Sequence, residues 1–236
     1  MSAEQTWERT GEGKRIAVRE MFAAIAPSYD QLNGLMSLSQ DGAWRRQAIE
    51  TLALKPGGHA LDVATGTGDF LPLLREKVGA QGRVVGSDFC LPMLERARPK
   101  TDAELTLADA CALPFGNASF DSVSVGWGIR NVPDIDLAHR EAFRVLKSGG
   151  RFVSLDMAQP RNPLVRGASR FLFRTAVPLL GRLFGARDAY TYLPESTERF
   201  HSREALADSM RRAGFAEVAW RDLHFGNLCI HTGRKP

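Results

Sequence analysis

The first group in this chain placed to bind a ligand is an aspartate that ends an apolar run some distance after two glycines. Leu61–Phe70 reads LDVATGTGDF and Val84–Phe89 reads VVGSDF, so Asp88 stands 20 residues beyond Gly68. A nucleotide-binding βαβ unit uses this spacing to bring a carboxylate to a ribose. Gly66 and Gly68 carry no Cβ, which lets the turn tighten and a ligand approach the backbone. An ionised Asp88 accepts from both ribose hydroxyls, each charge-assisted bond contributing about 1.5–3 kcal/mol. Turn and acid together point to a cofactor built on adenosine.

The residues after the turn narrow the choice. A dinucleotide fingerprint needs a third small residue for close helix–strand packing, and here that place is held by Leu71. Asp69 is expected to open the next helix and cap its free N–H groups. A negative charge there repels a pyrophosphate, the ligand a helix N-terminus usually attracts. S-adenosylmethionine, with a sulfonium, an ammonium and no phosphate, suits this turn better than NAD. An NAD-dependent reductase would share the fold and Asp88, so it stands as the competing function.

These groups need a scaffold, and the chain supplies one. At 236 residues, 44% hydrophobic and 25% charged, it has the composition of an ordinary globular enzyme. Cys90, Cys111 and Cys229 are isolated and show no metal-ligand spacing. The polar N-terminus has no signal-peptide core, and no apolar run reaches the length of a membrane span. The expected location is the cytoplasm. A net charge of +4 is too mild to argue for nucleic acid. Helical patterns cover Lys14–Ala26, Asp41–Leu54 and Ile135–Leu146, the last ended by Gly149-Gly150. Strand-like runs fall at His59–Ala64, Arg83–Gly86, Leu105–Leu107, Ser122–Val125 and Gly150–Leu155. Two further β-rich runs in the tail predict an antiparallel hairpin. The expected architecture is α/β: a doubly wound, Rossmann-like sheet of the class I methyltransferase type, with that C-terminal hairpin.

Three blocks carry a closer resemblance: FAAIAPSYDQLNGLMS near the start, GIRNVPD at Gly128–Asp134, and DAYTYLPESTERF near the end. With them the chain resembles the UbiE/menaquinone-biosynthesis family of quinone C-methyltransferases from about Met21 onward. The resemblance implies one S-adenosylmethionine-dependent methyltransferase domain over 1–236, with N-terminal helices over 14–54 and a basic helical lid inserted over about 161–188. The implied reaction methylates an aromatic carbon of a prenylated quinol, demethylmenaquinol first. The ubiquinone precursor 2-methoxy-6-polyprenyl-benzoquinol, or another small molecule, is the alternative.

The same resemblance implies a cofactor pocket of Asp62, Gly66, Thr67 and Gly68 around the methionine part, Asp88 on the ribose, and Asp109 with Ala110 on the adenine. Gly126 ends the fourth strand where the family often has Ser, so backbone or water would make that contact here. Asp62 and Asp109 have a plainer explanation as helix caps or turn closers. Arg130 is the implied catalytic group. Its guanidinium, with a pKa above about 12, is no base, but it can stabilise a developing phenolate or hold a water that accepts the proton. The plainer alternative for Arg130 is a loop-fixing salt bridge to an acid such as Asp134. Tyr29, Asn131 and Tyr190, with Tyr192 nearby, are the substrate-pocket candidates. His59 and His139 read as structural and His201 as a surface residue.

Arg161–Arg187 holds six arginines and no acid before Asp188. Val165, Ala168, Leu172, Ala176, Leu179 and Leu183 recur at helical spacing, with Arg166, Arg170 and Arg174 on another face. Pro178 is expected to kink or split the helix. Such a segment either docks on an anionic membrane at the inner face, suiting a substrate with an isoprenoid tail, or packs as a lid with its charges in water. A nucleic-acid methyltransferase is disfavoured, because the chain has neither a D/N-P-P-Y loop nor a Cys after Pro. The sequence leaves the oligomeric state open, a homodimer included.

Overall fold

The computed structural model describes residues 11–183 and 194–236, with side chains through 175 and again from 194. Tyr190 and Tyr192 therefore lie outside the described residues. The apolar runs become strands: β1 His59–Val63, β2 Arg83–Asp88, β3 Glu104–Leu107, β4 Phe120–Gly126 and β5 Leu146–Met157. The tail folds as predicted into β6 Ala216–Leu223 and β7 Leu228–Arg234. Together they form one sheet of order β3-β2-β1-β4-β5-β7-β6, parallel through β5 and antiparallel at β7 and β6. The doubly wound sheet with a C-terminal hairpin is thus the observed fold.

Helices cover both faces, which is why the central strands read as near-continuous apolar runs. Leu61, Val63, Val123, Val125 and Phe152 pack with α6 Ile135–Val145 and the penultimate-strand helix Arg203–Ala213, labelled α8. Ala60, Val84, Val153 and Leu155 pack on the other face with α3 Asp41–Glu50 and α4 Leu71–Val78. A third cluster joins α1 Gly11–Ile25 and α2 Tyr29–Met36 to α5 Leu91–Ala97 through Ile25, Leu32, Cys90 and Met93. The N-terminal helices thereby close over the carboxyl ends of β1 and β2.

Several boundaries differ from the sequence expectation. α3 stops at Glu50 because Ala53 takes a left-handed backbone, φ 49°, and the chain turns toward β1. α6 stops at Val145, and Leu146 already pairs with Phe120, so the Gly149-Gly150 pair lies within β5 rather than ending the helix. Asp69 caps nothing: α4 starts at Leu71, and the Asp69 carboxylate pairs instead with Arg45 and Lys100, each at 3.0 Å. The basic segment forms one helix, α7 Pro163–Leu183, which runs through Pro178 without splitting.

The packing of α7 also departs from its pattern. Val165, Ser169 and Phe173 face inward, whereas Ala168 and Leu172 of the expected stripe are exposed. Leu164, Phe171 and Leu172 are 84%, 72% and 59% exposed. Three of the arginines are paired with acids downstream in sequence. Arg170 and Arg174 both pair with Glu198 at 2.9 Å, and Arg161 pairs with Glu204 at 2.9 Å.

Candidate active site

A doubly wound sheet opens a crevice where the strand order reverses. Here the reversal falls between β1 and β4, and a cleft lies across the carboxyl ends of β3, β2, β1 and β4. Asp88, at the end of β2, lines it. Its carboxylate accepts from the backbone N–H of Gly66 at 2.8 Å and of Cys90 at 2.9 Å, tying the glycine turn to the start of α5. Burial pushes the Asp88 carboxyl up to about 6, with those two N–H groups working against it. Asp109 and Ala110 line the same end of the cleft, Asp109 closing its own turn on the Cys111 N–H at 2.8 Å. Arg15 of α1 approaches Asp109 at 3.9 Å.

The opposite end is built from turns after β1 and β4. Ala64, Gly66, Gly126, Trp127 and Gly128 line it, with Tyr29 and Asn131 beside them. Tyr29 packs edge-on against Phe22, ring centroids 6.1 Å apart. Asn131 donates to the Trp127 carbonyl at 3.0 Å. Gly126 answers the question its sequence position raised. A Cβ there would come within 2.2 Å of the Phe70 ring, so the aromatic ring occupies the room a side chain would need.

Asp62, Thr67 and Gly68 do not line the cleft; they build the turn from behind. Asp62 is buried, accepts from the hydroxyls of Thr65 and Ser124 at 2.6 Å each, and is pushed up to about 7 by that burial. Thr67 turns its hydroxyl to Asp30 of α2 at 2.6 Å. Gly68 has φ +85°, and a Cβ would fall 2.9 Å from the Ala97 Cβ, so only glycine fits against α5.

Arg130 has a different partner from the one its neighbours suggested. Asp134 caps α6 by accepting from the Leu137 N–H at 2.9 Å. Arg130 instead reaches into β5 and pairs with Asp156 at 2.5 Å, with the two side chains only 7% and 4% exposed. Asp156 also accepts from the Arg130 backbone N–H at 3.3 Å, so it holds the turn as well as the side chain. Arg130 does not line the cleft, although its charge reaches the Tyr29 phenol, whose pKa burial raises.

No histidine of the described residues lines the cleft. His139 is buried and meets the Ser209 hydroxyl at 2.8 Å. His201 is exposed. Among the described residues no group of His, Cys, Asp or Glu is arranged to hold a metal. Sequence reasoning missed Phe22, Ala64, Phe89, Met93 and Trp127, all in the cleft wall. Trp127 carried a signal in its position between two glycines. The others look like ordinary core residues.

An acid at each of two strand ends, apolar and aromatic walls, and turns of small residues after β1 and β4 fit an adenosine ligand with a cationic end. With the parallel sheet and its terminal hairpin, these features define a Rossmann-like methyltransferase of the S-adenosylmethionine-dependent class. A solved Thermotoga maritima structure, described as a methyltransferase that is a possible histamine N-methyltransferase, shares this fold. Its TM-score is 0.68 at 22% identity, covering 93% of this chain and 100% of that one. The chain belongs to the ubiE/COQ5 methyltransferase family, whose model matches residues 9–235. A demethylmenaquinone methyltransferase of Roseiflexus sp. (strain RS-1) is 43% identical, over 92% of this chain and 93% of that protein. A ubiquinone/menaquinone biosynthesis C-methyltransferase of Geobacter sulfurreducens is 40% identical, over 96% and 90%.

Proposed function

We propose that this enzyme methylates a ring carbon of demethylmenaquinol, with S-adenosylmethionine as donor. The observation that carries the proposal is the Asp88–Gly66 arrangement beside the sheet's switch point, in a chain of this family. Asp88 would take the ribose hydroxyls, and Asp109 with Ala110 the adenine. The amino-acid half would then lie over β1 and β4, among Ala64, Gly66, Gly126 and Trp127. Asp62, Thr67 and Gly68 serve by fixing the turn. When bound, the donor supplies a methyl group activated for in-line displacement by its sulfonium.

The chain's own residues orient and insulate the acceptor. Phe22, Tyr29 and Trp127 exclude water from the cleft, and fixed geometry of this kind contributes about 7–11 kcal/mol to such a reaction. A quinol carbon becomes nucleophilic as a ring hydroxyl loses its proton. Arg130, always cationic, favours the phenolate through the field it exerts near Tyr29. Because it is engaged with Asp156 behind the wall, it acts as a positioning and electrostatic residue, not one in contact with substrate. Asn131 and Tyr29 are the polar groups at the acceptor side of the cleft, and Tyr190 remains a candidate outside the described residues.

The proposal places the enzyme in the cytoplasm, docking α7 on the inner face of the membrane where a prenylated quinol resides. Support comes from the outward row of Leu164, Ala168, Phe171 and Leu172. No helix among the described residues is long and apolar enough to cross a membrane. Incubation with labelled donor and each quinol in turn tests the substrate. Label should enter demethylmenaquinol; label entering only 2-methoxy-6-polyprenyl-benzoquinol would move the enzyme to the second reading, and the name of the Geobacter relative covers both ubiquinone and menaquinone biosynthesis.

A further inference from the structure

Arg45 carries no motif in the sequence, yet it is a cation on which two segments outside its own helix converge. It sits on α3, 6% exposed. One guanidinium nitrogen donates to Asp41, a turn earlier, and the other terminal nitrogen pairs with Asp69 at 3.0 Å. The guanidinium carbon lies 4.9 Å from the Trp127 ring centroid and 5.9 Å from that of Phe70. Its Nε–H meets no hydrogen-bond acceptor among the described residues. Aromatic faces attract a desolvated guanidinium and complete its surroundings here.

Apart from Asp41, those contacts lead toward the cleft. Asp69 and Phe70 are the far end of the glycine turn, and Trp127 belongs to the turn after β4 and forms part of the wall. Phe70 fills the space over Gly126. Trp127 is held in a left-handed backbone, φ 53°, with its N–H on the Leu155 carbonyl at 2.7 Å. On the outer side Lys100 bridges Asp69 to Asp30 of α2 at 3.0 and 2.5 Å. The adenosine end joins this cluster through the glycine turn, whose Gly66 N–H donates to Asp88 at 2.8 Å, while the Arg45 guanidinium itself lies against Asp69, Phe70 and Trp127.

We propose that Arg45 is a positioning residue for the end of the cleft over β1 and β4. It holds the glycine turn and the Gly126–Gly128 turn at the separation needed by the amino-acid half of the donor. The inference rests on the proposed orientation of that donor, with its nucleoside over β2 and β3. A small displacement of such walls is costly, since misplacement by about 1 Å can lose about a hundredfold in a positioned reaction.

The test separates the two halves of the ligand without using turnover. S-adenosylhomocysteine carries both halves; 5′-methylthioadenosine keeps the nucleoside and lacks the amino-acid group. Calorimetry is run with each on the wild type, Arg45→Met and Arg45→Lys, with melting curves for all three. Arg45→Met should bind S-adenosylhomocysteine at least about tenfold more weakly and methylthioadenosine within about threefold of wild type, a local loss of fit. Arg45→Lys should fall between, because an ammonium keeps the charge but loses the planar face that stacks on Trp127. If Arg45→Met fails to fold, Trp127→Ala removes the same wall without stranding Asp41 and Asp69, and must show the same split. Equal losses for the two ligands, or unchanged affinity for both, overturns the role of Arg45. Wild-type protein that binds neither ligand overturns the donor assignment and the Arg45 role with it.

Discussion

At the scale of single residues, Asp88 and the Arg130–Asp156 pair carry the sharpest expectations. The Asp88 carboxyl titrates near 6 in the fold, and the ionised acid is the form that accepts from a pair of hydroxyls. Donor binding must expel the proton, so affinity for S-adenosylhomocysteine should weaken by about tenfold between pH 7 and pH 5. Asp88→Asn should bind about ten to a hundredfold more weakly at pH 7 and lose most of that pH dependence. Calorimetry at three pH values checks both; an Asn variant with the wild-type profile would take the ribose away from Asp88. Arg130 and Asp156 are buried on one another, and breaking such a pair costs about 3–5 kcal/mol. If Asp156 acts by aiming Arg130, Arg130→Met and Asp156→Asn should each cut turnover by about a hundredfold, and the double variant should be no worse than either. Multiplying losses in the double variant would mean that the two residues act separately.

At the scale of elements, α7 is the segment where pattern and packing part company. The arginines of this region looked like the membrane-binding feature, but Glu198 holds Arg170 and Arg174, and Glu204 holds Arg161 just before the helix. The apolar row that remains outward is Leu164, Phe171 and Leu172. Replacing those three with Ser should therefore abolish vesicle association, whereas Arg170→Gln with Arg174→Gln should weaken it by less than the about 1 kcal/mol expected per free surface charge. Flotation with neutral and anionic vesicles measures this. Dependence on the arginines alone would return the weight to charge. The contrast shows what the sequence makes readable and what it hides. Strands β1, β2 and β4 follow from apolar runs buried on both faces, and Asp88 follows from its distance to Gly68. Asp156 for Arg130, Asp69 for Arg45 and Glu198 for Arg170 are supplied by segments 24 or more residues away, and no local periodicity encodes them. Nearness along the chain pointed to Asp134, which the helix start of α6 had already claimed.

For the whole molecule, opposing buried acids and histidines set the response to pH. Burial depresses His139 to about 4 and lowers His231 as well. The unfolded chain then binds protons first, so this contribution to stability is lost as pH falls from about 6.5 toward 4. Asp62 and Asp88 have raised pKa values, so the folded protein holds their protons and stability is gained over the same descent. The two effects offset each other. Wild-type stability in urea should change little between pH 6.5 and 4.5, while Asp62→Asn should lose stability visibly faster on acidification. Parallel curves for the two proteins would mean that Asp62 does not titrate in this window.

The Phe70 ring over Gly126 has a consequence for how this sequence can change. A serine at 126 on its own would collide with a ring that is itself buried among Leu and Ile side chains, so that single step is closed. Shortening Phe70 first opens a void, and only the second change fills it. The two positions therefore behave as one heritable unit: a lineage moving between glycine and a hydroxyl at 126 must cross a less fit intermediate or change both residues together.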